Sequence, residues 1–561
     1  MRVLHGFLFV LACGLSCRAQ ELPVGKVIAK VVCELDESKS YALYVPSSYV
    51  REKAWPVIFC FDPSARGNLP VERLQAAAEK YGYIVAGSHD SRNGPFPGNA
   101  PAIQAMIKDV SAHLSVDSKR IYTAGMSGGS RVAITIAMSG FAKGVIACGA
   151  GFPVPVENIP PEVRFAFFGI VGTEDFNLPE LRQTDDALRD RGASHRLVTF
   201  NGPHVWPPEE KFMEAVEWLE VESMRAGTRA KDDAFVQRLF AARKAALAEL
   251  PELERWRELR SIAADYGDFL DTTEFKKEAD ALAASRAFKK ALKEERAMAG
   301  REIQLTQQLT QLAGSGWMEQ QQFAGKIRER AAAVSDSPDR RMARRAIAGY
   351  VVMTREAVGA LFKENDYAAA AAALELAVAL RPDHARNWYD LARARVYTAD
   401  KRSVFDALER AAAIGFDDVV HAEAEPRFEK LKADPRFEKF LEAIRLNRTD
   451  EVMQLPAMHI SAVLANVELR PFFLGTSGDD ARKISFLRVD RVRAGTAAAR
   501  AGVEAGQEVT IIQDVRVRGL TESELEEAMQ TPVKGEIVMS LRAPFQRDEK
   551  IVRVPVRKTA E

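Results

Sequence analysis

From residue 27 to 225, short β-branched runs alternate with segments of helical period, and this alternation constrains the fold more than any other feature of the chain. The strand-like runs are Val27–Cys33, Tyr41–Val45, Val57–Phe61, Tyr83–Gly87, Ile121–Ala124, Val145–Cys148, Phe165–Val171 and Arg196–Phe200. Helical spacing falls near Val71–Tyr81, Ala102–Leu114, Ser130–Met138, Leu178–Arg191 and Glu209–Glu220. Parallel strands need crossovers long enough to cover a sheet face, so the pattern predicts a mostly parallel sheet with helices on both faces. The first two runs precede any helix and predict an antiparallel edge.

The chain has 561 residues, too many for one hydrophobic core, and its composition changes twice more. After a first domain over 26–225, residues 228–345 are rich in Ala, Glu, Lys, Arg and Leu, as in ELERWRELRSIAADYG, and predict a helical spacer. Within 346–448, Ala370, Leu374, Ala377 and Pro382 close one helical pair, and Trp388, Leu391 and Ala392 open another about one repeat later. These positions resemble tetratricopeptide repeats, and an ordinary array of helical hairpins predicts nearly the same structure. Over 455–558 the strand-like runs ISFLRVDRV, EVTIIQDVRV, EIVMSLRA and KIVRVPVRK return between Gly-containing turns. The stretch Val489 to Gln507 resembles the V-x-x-G-S-P-A-x-x-A-G-L-x-x-G-D segment of PDZ domains, with Gln507 in place of the usual Asp. That resemblance implies a peptide-binding groove whose carboxylate loop is Phe473-Leu474-Gly475-Thr476, receiving the C-terminus of a peptide or protein.

Residues 1–19 read as a signal peptide: a basic start, an apolar run too short to span a bilayer, and a small-x-small site ending at Ala19. The expectation is export to the periplasm or extracellular space, with no integral membrane segment after cleavage. Lipid attachment at Cys13, after Val10-Leu11-Ala12, is the alternative. The 78 basic and 78 acidic residues balance, so net charge makes no case for nucleic acid or anionic membrane as a partner. Cleavage leaves Cys33, Cys60 and Cys148, an odd number without C-x-x-C spacing, and all three sit in apolar runs. Buried free thiols are expected, with no disulfide framework, no metal and no cofactor.

The first domain carries the chemistry. Gly125-Met126-Ser127-Gly128-Gly129 fits Gly-x-Ser-x-Gly, lying between a strand and a helix. In that context the serine occupies a tight turn, the flanking glycines admit close backbone, and Gly128 N–H lies beside the nucleophile. A hydrolase elbow of this kind needs an acid after a later strand and a histidine after the last one. Phe165–Val171 runs into Gly172-Thr173-Glu174-Asp175, and Arg196–Phe200 runs into Asn201-Gly202-Pro203-His204-Val205-Trp206-Pro207. These turns resemble the G-T-x-D and G-G-H-x-W-P turns of the polyhydroxybutyrate depolymerase and feruloyl esterase branch of the α/β-hydrolase superfamily. The resemblance spans residues 27–225 and implies Ser127 as nucleophile, His204 as general base and acid, and Asp175 as its orienting carboxylate, with Glu174 as competitor for that place.

The chain departs from that family after the third strand, where His-Gly is usual and Asp62-Pro63-Ser64-Ala65 stands instead. Proline has no N–H, so the second oxyanion donor is expected from Ser64 or Ala65. His89, in the loop Ser88–Gly94, is a candidate substrate contact. The short, Pro-rich stretch GAGFPVPVENIPPEV leaves little room for a large lid and suits a bulky or polymeric acyl group. Three functions fit: a secreted serine esterase with C-terminal protein-binding modules, a serine peptidase using the same triad, and a non-catalytic scaffold on a degenerate hydrolase fold.

Overall fold

A computed structural model describes residues 23–449 and, beyond them, 464, 467–473, 484–513, 515–520, 524–525, 529, 536–543 and 549–555. The expected signal segment and Cys13 lie outside the described residues, as do Leu474, Gly475 and Thr476. Contacts divide the chain into two units, Met1–Glu302 and Ile303–Glu561.

In the first unit, β1 (Val27–Cys33) and β2 (Asp36–Tyr44) form an antiparallel hairpin. The chain continues through β3 (Trp55–Phe61), α1 (Asn68–Tyr81), β4 (Ile84–Ser88), α2 (Phe96–His113), β5 (Val116–Met126), α3 (Gly128–Met138) and β6 (Gly144–Cys148). Then come β7 (Ala166–Gly172), α4 (Leu178–Asp190), β8 (His195–Phe200) and α5 (Glu209–Arg225). The eight strands run β1-β2-β4-β3-β5-β6-β7-β8, parallel from β4 to β8, with β1 and β2 as the antiparallel edge that the sequence predicts.

The period-two alternation divides β3 between two cores. Val57, Phe59 and Phe61 pack with Ile103 and Met106 of α2, Val132 and Ile136 of α3 and Leu181 of α4. Ile58 and Cys60 pack on the opposite face with Val71 and Leu74 of α1 and Phe212 and Val216 of α5. Cys33, Cys60 and Cys148 are free and buried, as expected, and burial pushes the Cys33 thiol up to about 11. α2 begins six residues before the predicted start. Its extra turn contains Pro97 and ends at Pro101, and its own Asn99 secures it by exchanging two hydrogen bonds with the backbone of Arg92 in the preceding loop.

The segment read as a spacer is partly integral to this unit. Helices α6 (Asp233–Ala246), α7 (Glu252–Tyr266) and α8 (Thr273–Ala284) pack Val236, Leu259, Ile262 and Phe275 against Val221 and Met224 of α5. Buried Asp265 accepts from Trp218 Nε1 at 2.8 Å and from Arg243. The division between units falls inside α9 (Arg286–Leu312).

The second unit holds α10 (Trp317–Ala331), α11 (Pro338–Glu364), α12 (Tyr367–Leu380), α13 (Ala385–Thr398), α14 (Lys401–Ala413), α15 (Val419–Ala424) and α16 (Pro435–Thr449). Asp366, Asp400 and Asp418 cap α12, α14 and α15 through their side chains. Ala370, Leu374 and Ala377 are buried on α12, and Leu391 and Ala392 on α13, which is compatible with the repeat spacing. A sheet follows, built from β9 (Val467–Phe473), β10 (Ile484–Val492), β11 (Glu508–Ile512), β12 (Val515–Arg516), β13 (Glu536–Arg542) and β14 (Lys550–Pro555). All its pairings are antiparallel, in the order β14-β13-β11-β10-β9, with β12 paired to β11. Gln507 accepts Glu504 N–H at 3.0 Å and so braces the turn before β11. Among the described residues no helix is long and apolar enough to cross a membrane.

Candidate functional site

Ser127 stands alone between the last residue of β5 and the first of α3, with φ 54° and ψ −119°. A positive φ is costly for a residue with a Cβ, about 1–3 kcal/mol, and persists only where the surroundings enforce it. Here they do. Ser127 N–H donates to Cys148 O at 2.8 Å, and Ser127 O accepts from Ser130 N at 3.0 Å and Arg131 N at 3.3 Å. The flanking glycines are required sterically: a Cβ on Gly125 would stand 2.1 Å from Gly129 O, and one on Gly129 would stand 2.0 Å from Phe61 O.

Asp175 and His204 follow the C-terminal ends of β7 and β8, on the same edge of the sheet as Ser127. Their turns are laced together, Thr173 N–H donating to Phe200 O and Glu174 N–H to Gly202 O, both at 2.9 Å. A Cβ on Gly172 would lie 2.2 Å from Gly202 O, so this approach also needs glycine. The buried Asp175 carboxylate accepts Asn177 N–H at 2.8 Å and His204 Nδ1–H at 2.8 and 2.9 Å. Phe176 covers the imidazole with ring centroids 4.3 Å apart. With its proton on Nδ1, His204 keeps the Nε2 lone pair as a base. The carboxylate on the ring is Asp175, one residue beyond Glu174. Among the described residues no hydrogen bond joins Ser127 Oγ to His204, so Ser127 and the His204–Asp175 pair share an edge without a closed relay.

The turn after β3 is organised by one side chain. Fully buried Asp62 accepts Ser64 N–H at 2.7 Å, Arg66 Nε at 3.1 Å, Arg66 Nη2 at 3.0 Å and Trp206 Nε1 at 2.7 Å. Burial pushes its pKa up, but the hydrogen bonds from Arg66, Trp206 and Ser64 prevail and hold it below the ordinary carboxylate value. The expected donors are therefore committed: Ser64 N–H to Asp62 Oδ1, and Ala65 N–H to Asp62 O at 3.1 Å, with Ala65 at φ 62°. Trp206 lies two residues after His204, so Asp62 also ties the histidine turn to the turn after β3. Sequence signalled both residues only as members of motifs. The bond between them spans 144 positions and has no local mark.

His89 is spent on the scaffold. Its Nδ1 accepts Gly67 N–H at 3.2 Å, which leaves Nε2–H to donate to Ala29 O at 2.8 Å. Beside the first turn of α3, a cleft of about 450 Å³ is lined by Arg131, Phe152, Val154, Val156, Glu180 and Thr184, and the stretch after β6 that forms its rim carries only a 3-10 turn at Val156–Asn158. Arg131 pairs with Glu180 there at 3.0 Å. Of the expected peptide loop, Phe473 closes β9. Among the described residues no cluster of His, Cys, Asp or Glu is suited to hold a metal ion.

No protein-family model matches the chain. No curated protein matches it either. Among solved structures, it is similar to the S-formylglutathione hydrolase of Staphylococcus aureus at 12% identity and TM-score 0.28, over 32% of this chain and 90% of that one. It is similar to Est1E from Butyrivibrio proteoclasticus at 15% identity and TM-score 0.29, over 35% of this chain and 100% of that one. Similarity to esterase 2 of Thermogutta terrifontis, phosphonylated by sarin, is 16% in sequence with TM-score 0.29, over 38% of this chain and 98% of that one.

Proposed function

We propose that the chain is an exported serine hydrolase that cleaves carboxylic esters through Ser127, His204 and Asp175. The observation that carries this reading is the bonding of buried Asp175 to His204 Nδ1 on the sheet edge where Ser127 is held at positive φ. Ser127 Oγ attacks the acyl carbon while its proton passes to His204 Nε2, and Asp175 stabilises the imidazolium. The carbonyl electron pair moves onto oxygen, where Gly128 N–H, at the start of α3, donates to it. Collapse breaks the ester C–O bond, His204 returns the proton to the departing alcohol, and water then releases the acyl group by the same relay. The cleft beside Arg131 and Val154 is the place assigned to the acyl or alcohol group.

The C-terminal sheet enters the proposal as a peptide-binding module. β9 is, with β14, one of the two strands that end the order among the described residues, and an extended peptide pairs with such an edge. Labelling with a fluorophosphonate probe tests the enzyme reading: wild type takes up label and Ser127→Ala does not. Equal absence of label in both, beside a reactive control esterase, would refute it. Turnover of esters but not peptides on the labelled protein then separates an esterase from a peptidase.

A further inference from the structure

Phe176 follows Asp175 directly, in a turn that is pinned on both sides of it. Asp175 N–H donates to Gly172 O at 3.1 Å, and Leu178 N–H donates to Asp175 O at 2.9 Å. Asn177 gives its backbone N–H to Asp175 Oδ1 at 2.8 Å and its side-chain Nδ2–H to Gly149 O at 2.7 Å, while Leu178 is buried in the core where α4 begins. The backbone at Phe176 is therefore held, and its half-buried ring rests on His204 with centroids 4.3 Å apart and planes inclined by 39°. Rings at that inclination meet closer to face on face than edge on face. Two consecutive residues thus surround one imidazole, Asp175 at its Nδ1 edge and Phe176 on its face.

We propose that Phe176 is a positioning residue that acts through His204, its ring face stabilising the imidazolium that forms when Ser127 Oγ gives up its proton. The inference rests on the reading of Ser127, His204 and Asp175 as a hydrolase relay. The His204 side chain is 17% exposed and that of Asp175 1%, so water does little to solvate the charge that develops on the ring. The face of an aromatic ring is the negative side of its quadrupole and attracts a cation lying within about 6 Å of the centroid, the more so where water is excluded. A neutral imidazole draws far less from that face than an imidazolium does. The attraction is therefore gained on the way to the transition state and is realised in kcat, not in KM.

The test is steady-state hydrolysis of p-nitrophenyl butyrate by the purified full chain, with fluorophosphonate labelling alongside. Phe176→Leu keeps an apolar side chain but removes the π face, so kcat and the labelling rate fall on the order of tenfold while KM stays within about threefold. Phe176→Tyr, which restores the face, recovers most of that loss. Mono-, di- and trifluorophenylalanine placed at the same position keep the shape of the ring and draw electron density off its face, so kcat falls stepwise with each fluorine. Packing alone would leave kcat level across that series, and the series reads the effect even where Phe176→Leu fails to fold. A level kcat across the fluorinated rings beside an active wild type, or a change confined to KM, overturns the proposal and leaves the hydrolase reading standing. Wild type that neither turns over the ester nor takes up label overturns the hydrolase reading and this inference with it.

Discussion

Two turns leave adjacent parallel strands side by side, where Phe61 of β3 is in register with Gly125 of β5, and they are built by opposite means. The turn after β5 works by subtraction: Gly125 and Gly129 carry no side chain because backbone oxygens occupy the space that one would fill. The turn after β3 works by addition: the carboxylate of Asp62 gathers Ser64 N–H, Arg66 and Trp206 around itself. A steric requirement leaves a mark in composition, so the first turn is readable as a motif. A hydrogen-bonding requirement depends on where an oxygen points, so the second reads only as a departure from a family pattern.

The contrast can be broken from either side. Gly129→Ala drives a methyl group into Phe61 O, where neither backbone can yield, and should lose about 3 kcal/mol or more of stability by urea unfolding. Asp62→Asn keeps the shape but removes the charge that serves Arg66 and Trp206, and should lose about 2 kcal/mol. Its pH dependence sharpens the point. Because the folded-state pKa of Asp62 lies below the ordinary value, its contribution is complete above about pH 4 and is lost as pH falls through the folded-state value. The stability gap between wild type and Asp62→Asn should therefore close on acidification. His89→Ala removes two neutral hydrogen bonds at the downstream end of the same turn, and should lose about 1 kcal/mol while leaving ester turnover intact. A fall in kcat instead would return His89 to the substrate side.

The alternation of strand and helix already contains the sheet of the first unit, because a residue buried on both faces must be apolar whatever its neighbours are. Val57 to Phe61 are apolar at every position and are buried at every position. The positions of Ser127, Asp175 and His204 were equally legible, since strand ends are marked by the turn residues that follow them. Boundaries were less so: the extra turn of α2 depends on Asn99 reaching Arg92, and the attachment of α6 to α8 depends on which face of α5 is left apolar.

Sequence by itself determined the elements, their two-faced burial and the order in which serine, acid and histidine leave the sheet, because each is written in local spacing and residue type. Only the tertiary structure decided what the turn after β3 does with its N–H groups and which carboxylate meets His204. Those answers depend on hydrogen bonds and close approaches between residues far apart in the chain, and sequence separation carries no record of direction in space.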